Sequence, residues 1–260
     1  MTTADPYAAA AIAYELFSEP FRAAQYAALD AVLERIPNGD AVVLDIGCGD
    51  AAHLVHLLER RPDARAIGLE PSAAMRALAL QRVASTALRE RITIRPEAAH
   101  EAPLPSALDA VVMLGVLGHL DPDRRVELFA RLSARMRPGA AILFDLQQPE
   151  RPHPIPETVF ADERIGELRY RRSAAAVPDG GERMRWTMRT EVLDGERILE
   201  QFVGSHCYHH PSRAVIDAEF ARAGFTLDPL EPGYLIATRA ASAPPLDPHH
   251  HDQPRPEGQR

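Results

Sequence analysis

Cysteine is almost missing from this chain: Cys48 and Cys207 are the two thiols in 260 residues. Cys48 lies inside a glycine turn, so a disulfide framework is not expected and a reducing compartment, the cytoplasm, fits. Long apolar runs are missing too. No stretch of about 18 consecutive apolar residues occurs, so no membrane-spanning helix is expected. The alanine-rich start, MTTADPYAAAAIAYELF, has no basic segment before it and reads as a helix, not as a secretion signal. Long basic runs are absent and the formal net charge is -8. A nucleic-acid backbone, which is gripped by clustered Arg and Lys, is therefore not the expected main partner. No internal repeat is seen. What remains is ordinary for a globular protein, with 46% apolar and 25% charged residues. There is enough chain for one large α/β domain with an insertion, or for one domain with tails.

Hydrophobic patterning divides the chain. From Ala8 to Arg35 apolar residues recur at three- and four-residue spacings, which predicts one or two amphipathic helices broken at Pro20. Behind the turn PNGD, the apolar AVVLDI is a buried strand, and a helix from Ala51 to Arg61 stops at Pro62. The alternation continues with strand ARAIGLE, helix SAAMRALALQRVAS capped by Ser72, and strand RITIRPE. Strand LDAVVMLGVL, helix PDRRVELFARLSARM and strand PGAAILFDLQ follow. Five strands interleaved with helices imply a parallel sheet.

Four prolines in QQPERPHPIPE, Gln147 to Glu157, then predict an extended connector. Beyond it ELRYRRSAA, ERMRWTMRTEV and RILEQFVGSHCYHH read as strands. Met184, Trp186 and Met188 alternate with Arg185, Thr187 and Arg189, and Pro-Asp-Gly-Gly (178–181) and Asp-Gly (194–195) mark hairpin turns. Residues 158–209 are accordingly an antiparallel sheet inserted after strand five. PSRAVIDAEFARAGF is a last helix stopped at Gly224, and FTLDPLE with GYLIATRA forms a closing hairpin. The expected fold is α/β and doubly wound: a seven-stranded, mostly parallel sheet, an antiparallel β insertion after strand five and a closing C-terminal hairpin.

The first strand ends in Asp45-Ile46-Gly47-Cys48-Gly49-Asp50-Ala51 and leads straight into a helix. Glycines lack a Cβ and let a ligand approach the backbone, and the helix start behind them offers free amide donors. Glu70, at the end of the next strand, is placed to accept hydrogen bonds from both hydroxyls of a ribose. NAD and S-adenosylmethionine share that ribose, and Asp45 discriminates between them. A pyrophosphate site of the form G-x-G-x-x-G gains nothing from a carboxylate ahead of its glycines. Here acids flank the turn and the third dinucleotide glycine is missing, which suits a cationic ligand without phosphate.

In these residues, and over roughly Ala41 to Gln147, the chain resembles the class I S-adenosylmethionine-dependent methyltransferases of small-molecule type. LDIGCGDA is similar to the family's first motif, D-x-G-x-G-x-G, with Ala51 in place of the third glycine; its methyl is expected to tighten the pocket. The resemblance implies S-adenosylmethionine as cofactor, with Asp45, Gly47, Cys48 and Gly49 in the binding turn and Glu70 at the ribose. After Glu70, the segment PSAAM (Pro71, Ser72, Met75) resembles the one that pads the adenine. Glu97 and Ala98, in PEAAHEAPLP, stand where an Asp often meets the adenine amino group. Leu114 and Gly115, at the end of strand four, lie beside the methionine moiety. AYELF resembles segments in which a Tyr reaches over the cofactor, here Tyr14. The parts expected are a helical lid (1–40), a cofactor-binding core (41–150), an insertion covering the substrate (151–210), the last helix and hairpin (211–240) and an unfolded tail rich in Pro, His and Gln (241–260).

Methyl transfer is an in-line displacement at a carbon already activated by sulfonium. The protein aligns the nucleophile and, where that nucleophile carries a proton, accepts it. Ligands of open α/β sheets lie at the carboxyl ends of the strands. There His119, just after strand four, is one candidate base, with a histidine bonding only backbone as the equal alternative. His206 and Tyr208, on one face of SHCYHH, are the others if the insertion covers the site. Cys207 alternates away from His206, so no metal site is expected, and the HHH of the tail is expected to be solvated. The Met184–Trp186–Met188 stripe is read mainly as the underside of the inserted sheet packed on the core, with a substrate wall as the alternative. An insertion at this place resembles small-molecule N-methyltransferases, including those acting on amino sugars and amino acids. The expected function is transfer of the S-adenosylmethionine methyl group to a nitrogen or oxygen of a small molecule, with secondary metabolism as one setting. The rivals are an NAD-dependent oxidoreductase and a protein of the same fold that binds the cofactor without methylating. The partners expected are a small-molecule acceptor, no nucleic acid and no membrane, with a homodimer as one option for the assembly.

Overall fold

Two strands that are apolar almost throughout organise the sheet. β1 (Ala41–Ile46) and β4 (Leu108–Met113) are buried at every position and lie side by side in a seven-stranded sheet of order β10-β11-β5-β4-β1-β2-β3. β2 (Ala64–Leu69), β3 (Ile92–Arg95) and β5 (Met136–Asp145) run parallel to them. β10 (Phe225–Leu230) and β11 (Tyr234–Arg239) close one edge as an antiparallel hairpin. This computed structural model describes residue 5 and residues 7–230 and 233–241. The tail beyond 241, with His249 to His251, lies outside the described residues.

Side chains alternate across β1, so each face of the sheet acquires its own core. Val42, Leu44 and Ile46 pack with Leu128 and Phe129 of α5 (Pro122–Ser133) and with Phe220 of α6 (Arg213–Arg222). Ala41 and Val43 pack on the other face with Leu29 and Val32 of α2 (Tyr14–Leu33), Leu54 and Leu57 of α3 (Ala52–Arg60) and Ala79 of α4 (Ala73–Ala84). A short α1 (Ala8–Ala11) precedes them. Ser72 caps α4 as expected, its Oγ accepting the Met75 N–H at 3.1 Å. Among the described residues no helix is long and apolar enough to cross a membrane.

Three elements differ from the sequence reading. α2 runs unbroken through Pro20, because Phe17 on one side and Ala28, Leu29 and Val32 on the other are buried together and outweigh the single hydrogen bond that proline forfeits. β4 stops at Met113, and Leu117–His119 forms a 3-10 turn. The inserted sheet has four strands, not three, in the order β6 (Ile155–Ile165), β7 (Leu168–Pro178), β8 (Arg183–Asp194), β9 (Arg197–His209). β6 begins inside the proline-rich connector. It is an edge strand, exposed along almost all its length, so it shows no alternation to read and tolerates Pro156.

Arg125 fixes this insertion to the core. The residue is 0% exposed and uses all five of its N–H donors. Two reach Glu219 of α6 at 2.9 and 3.0 Å, two reach Glu182 between β7 and β8 at 2.6 and 3.2 Å, and one reaches the Leu120 carbonyl at 3.1 Å. The inner face of the sheet is thereby held over the carboxyl ends of β4 and β5.

Candidate active site

At the end of β1 the chain turns through three left-handed residues, Gly47 (φ 71°), Gly49 (φ 56°) and Ala51 (φ 62°). A Cβ on Gly47 would lie 2.7 Å from Val116 Cγ2, and one on Gly49 would lie 3.2 Å from the Tyr14 hydroxyl and 3.6 Å from Met75 Cε. The turn is thus a backbone cradle with an aromatic hydroxyl standing over it. Ala51 is the one non-glycine residue with positive φ among the described residues. Its methyl is buried in the apolar cluster with Leu54 and Leu57 and does not tighten the pocket as expected; its cost is left-handed strain of roughly 1–2 kcal/mol. The Cys48 side chain is buried against Gly68, where a Cβ would come within 2.5 Å of its sulfur. It is a packing residue that lends the site its backbone.

Three carboxylates converge on the turn, and among the described residues two of them, Asp45 and Glu70, make no ion pair with an arginine. Asp50 is the exception. Arg22 and Arg82 both bind its Oδ2, Arg82 at 2.7 Å, and Glu15 bridges the two arginines. Burial works against its ionisation, but Arg22 and Arg82 prevail and its pKa is lowered. Asp45 is 1% exposed and its Oδ2 has no hydrogen-bond partner. Burial, then Glu70 and Asp50, push its pKa well up. His53 Nδ1 is 3.9 Å away, and burial drives that imidazole down to about 4, so it brings no charge at neutral pH. Glu70 accepts the Ser72 N–H on Oε1 at 2.8 Å and the Gly49 N–H on Oε2 at 3.0 Å, and burial raises its pKa. Each of its oxygens keeps a lone pair for a ligand hydroxyl. An orphaned buried acceptor beside a glycine cradle fits a ligand that carries both a cation and a ribose. A cation seated there favours the ionised form of Asp45, whereas a pyrophosphate would push the Asp45 and Glu70 pKa values further up.

The adenine-side residues are placed less favourably. Pro71 is exposed, and the Ser72 hydroxyl both caps α4 and donates to Asp5 Oδ2 at 2.8 Å, so it has little left for a ligand. Met75 is buried beneath Gly49. Glu97 is held in a two-pronged ion pair by Arg95, which lowers its pKa, and Ala98 lends its carbonyl to the Glu101 and Ala102 N–H groups of the next turn. Arg95 takes one lone pair on each Glu97 oxygen, so an adenine amino group has only the remaining ones to meet. The sequence reading put Tyr14 of an N-terminal lid over the cofactor but did not name Asp5 or Tyr7. Asp5 accepts from Ser72 and from the Ala74 N–H (3.2 Å), Tyr7 lines the neighbouring cavity and the Tyr14 hydroxyl stands over Gly49.

On the acceptor side, a cavity of about 760 Å³ opens between the core and the inner face of the insertion. His119, His206 and Tyr208 all line it, with His119 and Tyr208 rings 4.7 Å apart edge to face and His119 and His206 6.3 Å apart. Tyr7 joins them, its hydroxyl 2.5 Å from His119 Nε2. The cavity walls, then His206, hold the His119 pKa down to about 4; burial lowers that of His206 too. Tyr208 is corrected from base to latch. Its hydroxyl donates to the Gly115 carbonyl at 3.0 Å, burial pushes its pKa well up, and its ring lies where a Gly118 Cβ would be, 1.7 Å from Cε1. Gly115, left-handed at φ 70°, lines the cavity and donates to Asp145 Oδ1 at 2.7 Å, while Leu114 packs into the core. The stripe divides: Met184 is fully buried, but Trp186 and Met188 line the cavity. Trp186 Nε1–H donates to His210 at 3.0 Å. Asp145 carried a signal that was overlooked, an acid ending an apolar strand like Asp45 and Glu70. Tyr7 and Arg172, also on the cavity wall, had none. Among the described residues, no three His, Cys, Asp or Glu side chains come together to hold a metal ion.

Comparison with known proteins agrees with this geometry. Residues 43–139 match a family model described as Methyltransferase domain. A ribosomal RNA small subunit methyltransferase H of Synechococcus sp. (strain CC9605) is 34% identical over 202 residues, 71% of this chain and 62% of that protein. The chain therefore spans less than two thirds of the curated relatives it matches. Among solved structures, S-adenosylmethionine-bound CalS10 of Micromonospora echinaspora, an amino pentose methyltransferase, is 26% identical with a TM-score of 0.67, covering 82% of this chain and 88% of that one. DesVI of Streptomyces venezuelae, 22% identical with a TM-score of 0.67 over 91% and 93% of the two chains, shares the fold. With its glycine cradle and its strand-end acids, the chain carries a methyltransferase domain over residues 43–139 and has the α/β fold of the class I S-adenosylmethionine-dependent methyltransferases it is similar to.

Proposed function

We propose that the protein moves the methyl group of S-adenosylmethionine to an amine nitrogen of a small molecule. The cofactor supplies a carbon made electrophilic by its sulfonium. Asp45, the Gly47–Gly49 backbone and Glu70 hold it, and Tyr14 with the Asp5–Tyr7 strap closes over it. The acceptor enters under the inserted sheet, in a reducing compartment that leaves Cys48 and Cys207 as free thiols.

The observation that carries the choice of nitrogen is the protonation state of the cavity. Among the described residues no Asp or Glu lines it, and both its histidines have lowered pKa values, His119 about 4. A hydroxyl acceptor needs a strong base as its bond to carbon forms, because the neutral group is a poor nucleophile. A neutral amine brings its own lone pair and needs only alignment, which the neutral His119–Tyr7 pair provides by accepting an N–H. The likeness to an amino pentose methyltransferase supports an acceptor that carries an amine. The concave site beneath the insertion and the formal charge of -8 favour a small molecule over RNA, although a curated relative bears a ribosomal RNA methyltransferase name.

The test is S-adenosylhomocysteine formation, read by mass spectrometry, with a panel of amino sugars and their hydroxyl counterparts. Amines alone are expected to turn over, and His119→Asn to lower turnover while S-adenosylhomocysteine affinity holds. Methylation of the hydroxyl counterparts at a comparable rate would refute the reading.

A further inference from the structure

We infer that Arg172 is the recognition residue for an oxyanion, a carboxylate or phosphoryl group, carried by the methyl acceptor. This rests on the methyltransferase reading above and names the substrate class of the same cavity.

Other buried and half-buried arginine heads have a carboxylate or carbonyl partner, although Arg22 Nε and Arg169 Nε and Nη2 are also left without a hydrogen bond and Arg169 is paired with Asp162. Arg125 has two glutamates, Arg22 has Asp50 and Glu15, Arg131 binds the carbonyls of Ala99, His100 and Ala102, and Arg91 binds those of Leu58, Arg61 and Ala64. Arg172 breaks this rule. It lines the acceptor cavity from β7, and among the described residues it makes no ion pair and no hydrogen bond, with Nε buried and unpartnered. Its guanidinium is held between two rings, 5.3 Å from the centroid of Phe17 on α2 and 5.4 Å from that of Phe160 on β6. Stacking of this kind orients the fork but satisfies none of its five N–H donors. Burial lowers its pKa, opposed only by Tyr14 and Tyr7, so the fold disfavours the charge it nevertheless holds there.

The surroundings say what is missing. Among the described residues neither Asp nor Glu lines the cavity; Thr158, Thr190, Ser205 and Gln147 supply neutral polar groups instead. A counter-charge carried by the ligand fits this wall. A planar fork matches the two oxygens of a carboxylate or phosphoryl group, and pairing offsets the desolvation that burial imposes on Arg172. The acceptor then has two handles, an amine toward His119 and Tyr7 and an oxyanion toward Arg172. The competing source of the same chemistry is the methionine carboxylate of the cofactor.

The test compares wild type with Arg172→Met, which keeps the stacked stem, and Arg172→Lys, which keeps the charge. Inorganic phosphate, pyrophosphate and acetate are titrated calorimetrically into each protein, with and without S-adenosylhomocysteine. S-adenosylhomocysteine and 5′-methylthioadenosine, which lacks the carboxylate, are titrated separately. The expected result is binding of at least one anion to wild type, weakened about 10- to 100-fold in Arg172→Met and less in Arg172→Lys, with S-adenosylhomocysteine affinity unchanged. The inference is overturned if no anion binds, if Arg172→Met binds anions as wild type does, or if that variant loses S-adenosylhomocysteine but not 5′-methylthioadenosine. Failure of wild type to bind S-adenosylhomocysteine would instead strike the methyltransferase reading, and the anion titrations without it still decide the role of Arg172.

Discussion

Replacing His210 by phenylalanine keeps a flat ring at the end of β9 but removes an acceptor from the Trp186 indole and a donor from the Gln147 carbonyl. An indole N–H can only donate. His210 Nε2 therefore accepts at 3.0 Å, and its proton sits on Nδ1, 3.3 Å from the Gln147 oxygen. Two hydrogen bonds are lost, one of them long, so at 0.5–1.5 kcal/mol each the cost is about 2 kcal/mol. In urea this appears as a lower midpoint with an unchanged slope. Trp186 is the only tryptophan in the chain, so its emission reports the bond without interference, and in His210→Phe it shifts to the red as the indole N–H turns to water.

Acid is expected to break the same bond in wild type. Burial pushes the His210 pKa below the ordinary 6.5, opposed by the carbonyls of Gln147 and Pro149 and by Glu182. The folded state thus binds this proton more weakly than the unfolded chain does. Its contribution to stability is complete above the ordinary imidazole range and is lost as pH falls through the folded pKa. Wild-type emission moves to the red on acidification, and that of His210→Phe does not. His206 lies opposite Trp186 across β8 and β9, and His119 lines the same cavity, so His206→Asn is the control and must still show the shift. An acid shift that persists in His210→Phe, or wild-type emission that stays constant as pH falls until the fold itself is lost, refutes the lock.

Other expectations follow from the same geometry. Glu70→Gln weakens S-adenosylhomocysteine binding by about 1–3 kcal/mol in calorimetry, and unchanged affinity would put the ribose elsewhere. Gly118→Ala places a methyl where the Tyr208 ring lies, 1.7 Å from Cε1, and costs about 1–3 kcal/mol in urea unfolding; a loss under roughly 0.5 kcal/mol contradicts the latch. His53, held at about 4, removes stability as pH falls from 6.5 toward that value. His53→Gln should therefore flatten the acid limb of the stability curve by about 3 kcal/mol, and an unaltered limb would assign that loss to other groups.

The central sheet was legible because its signals are local. AVVLDI and LDAVVM are apolar at consecutive positions, which marks buried parallel strands, and Gly47, Gly49 and Glu70 sit at strand ends where chain direction alone locates a ligand. The inserted sheet was legible only where one face is apolar, as in β8, and β6 was lost because both its faces meet water. Pro20 misled because the packing that sustains α2 around it is tertiary. The acceptor side was half visible. Period two put His206 and Tyr208 on one face, but whether Tyr208 offers a base or a latch depends on the Gly115 carbonyl, 93 residues away. Tyr7 and Arg172 acquire meaning only through what faces them, and no spacing in the chain announces that.

The insertion leaves the core after Gln147 and comes back at His210, and these two residues are hydrogen-bonded to each other. A segment whose points of departure and return touch can be lengthened, trimmed or exchanged without displacing the strands it is spliced into. The turn proposed to grip the sulfonium nucleoside belongs to β1 and β2, outside the splice. On the proposed reading donor grip and acceptor choice are separate modules, and a graft at this one seam is expected to redirect which molecule receives the methyl group while the donor remains the same.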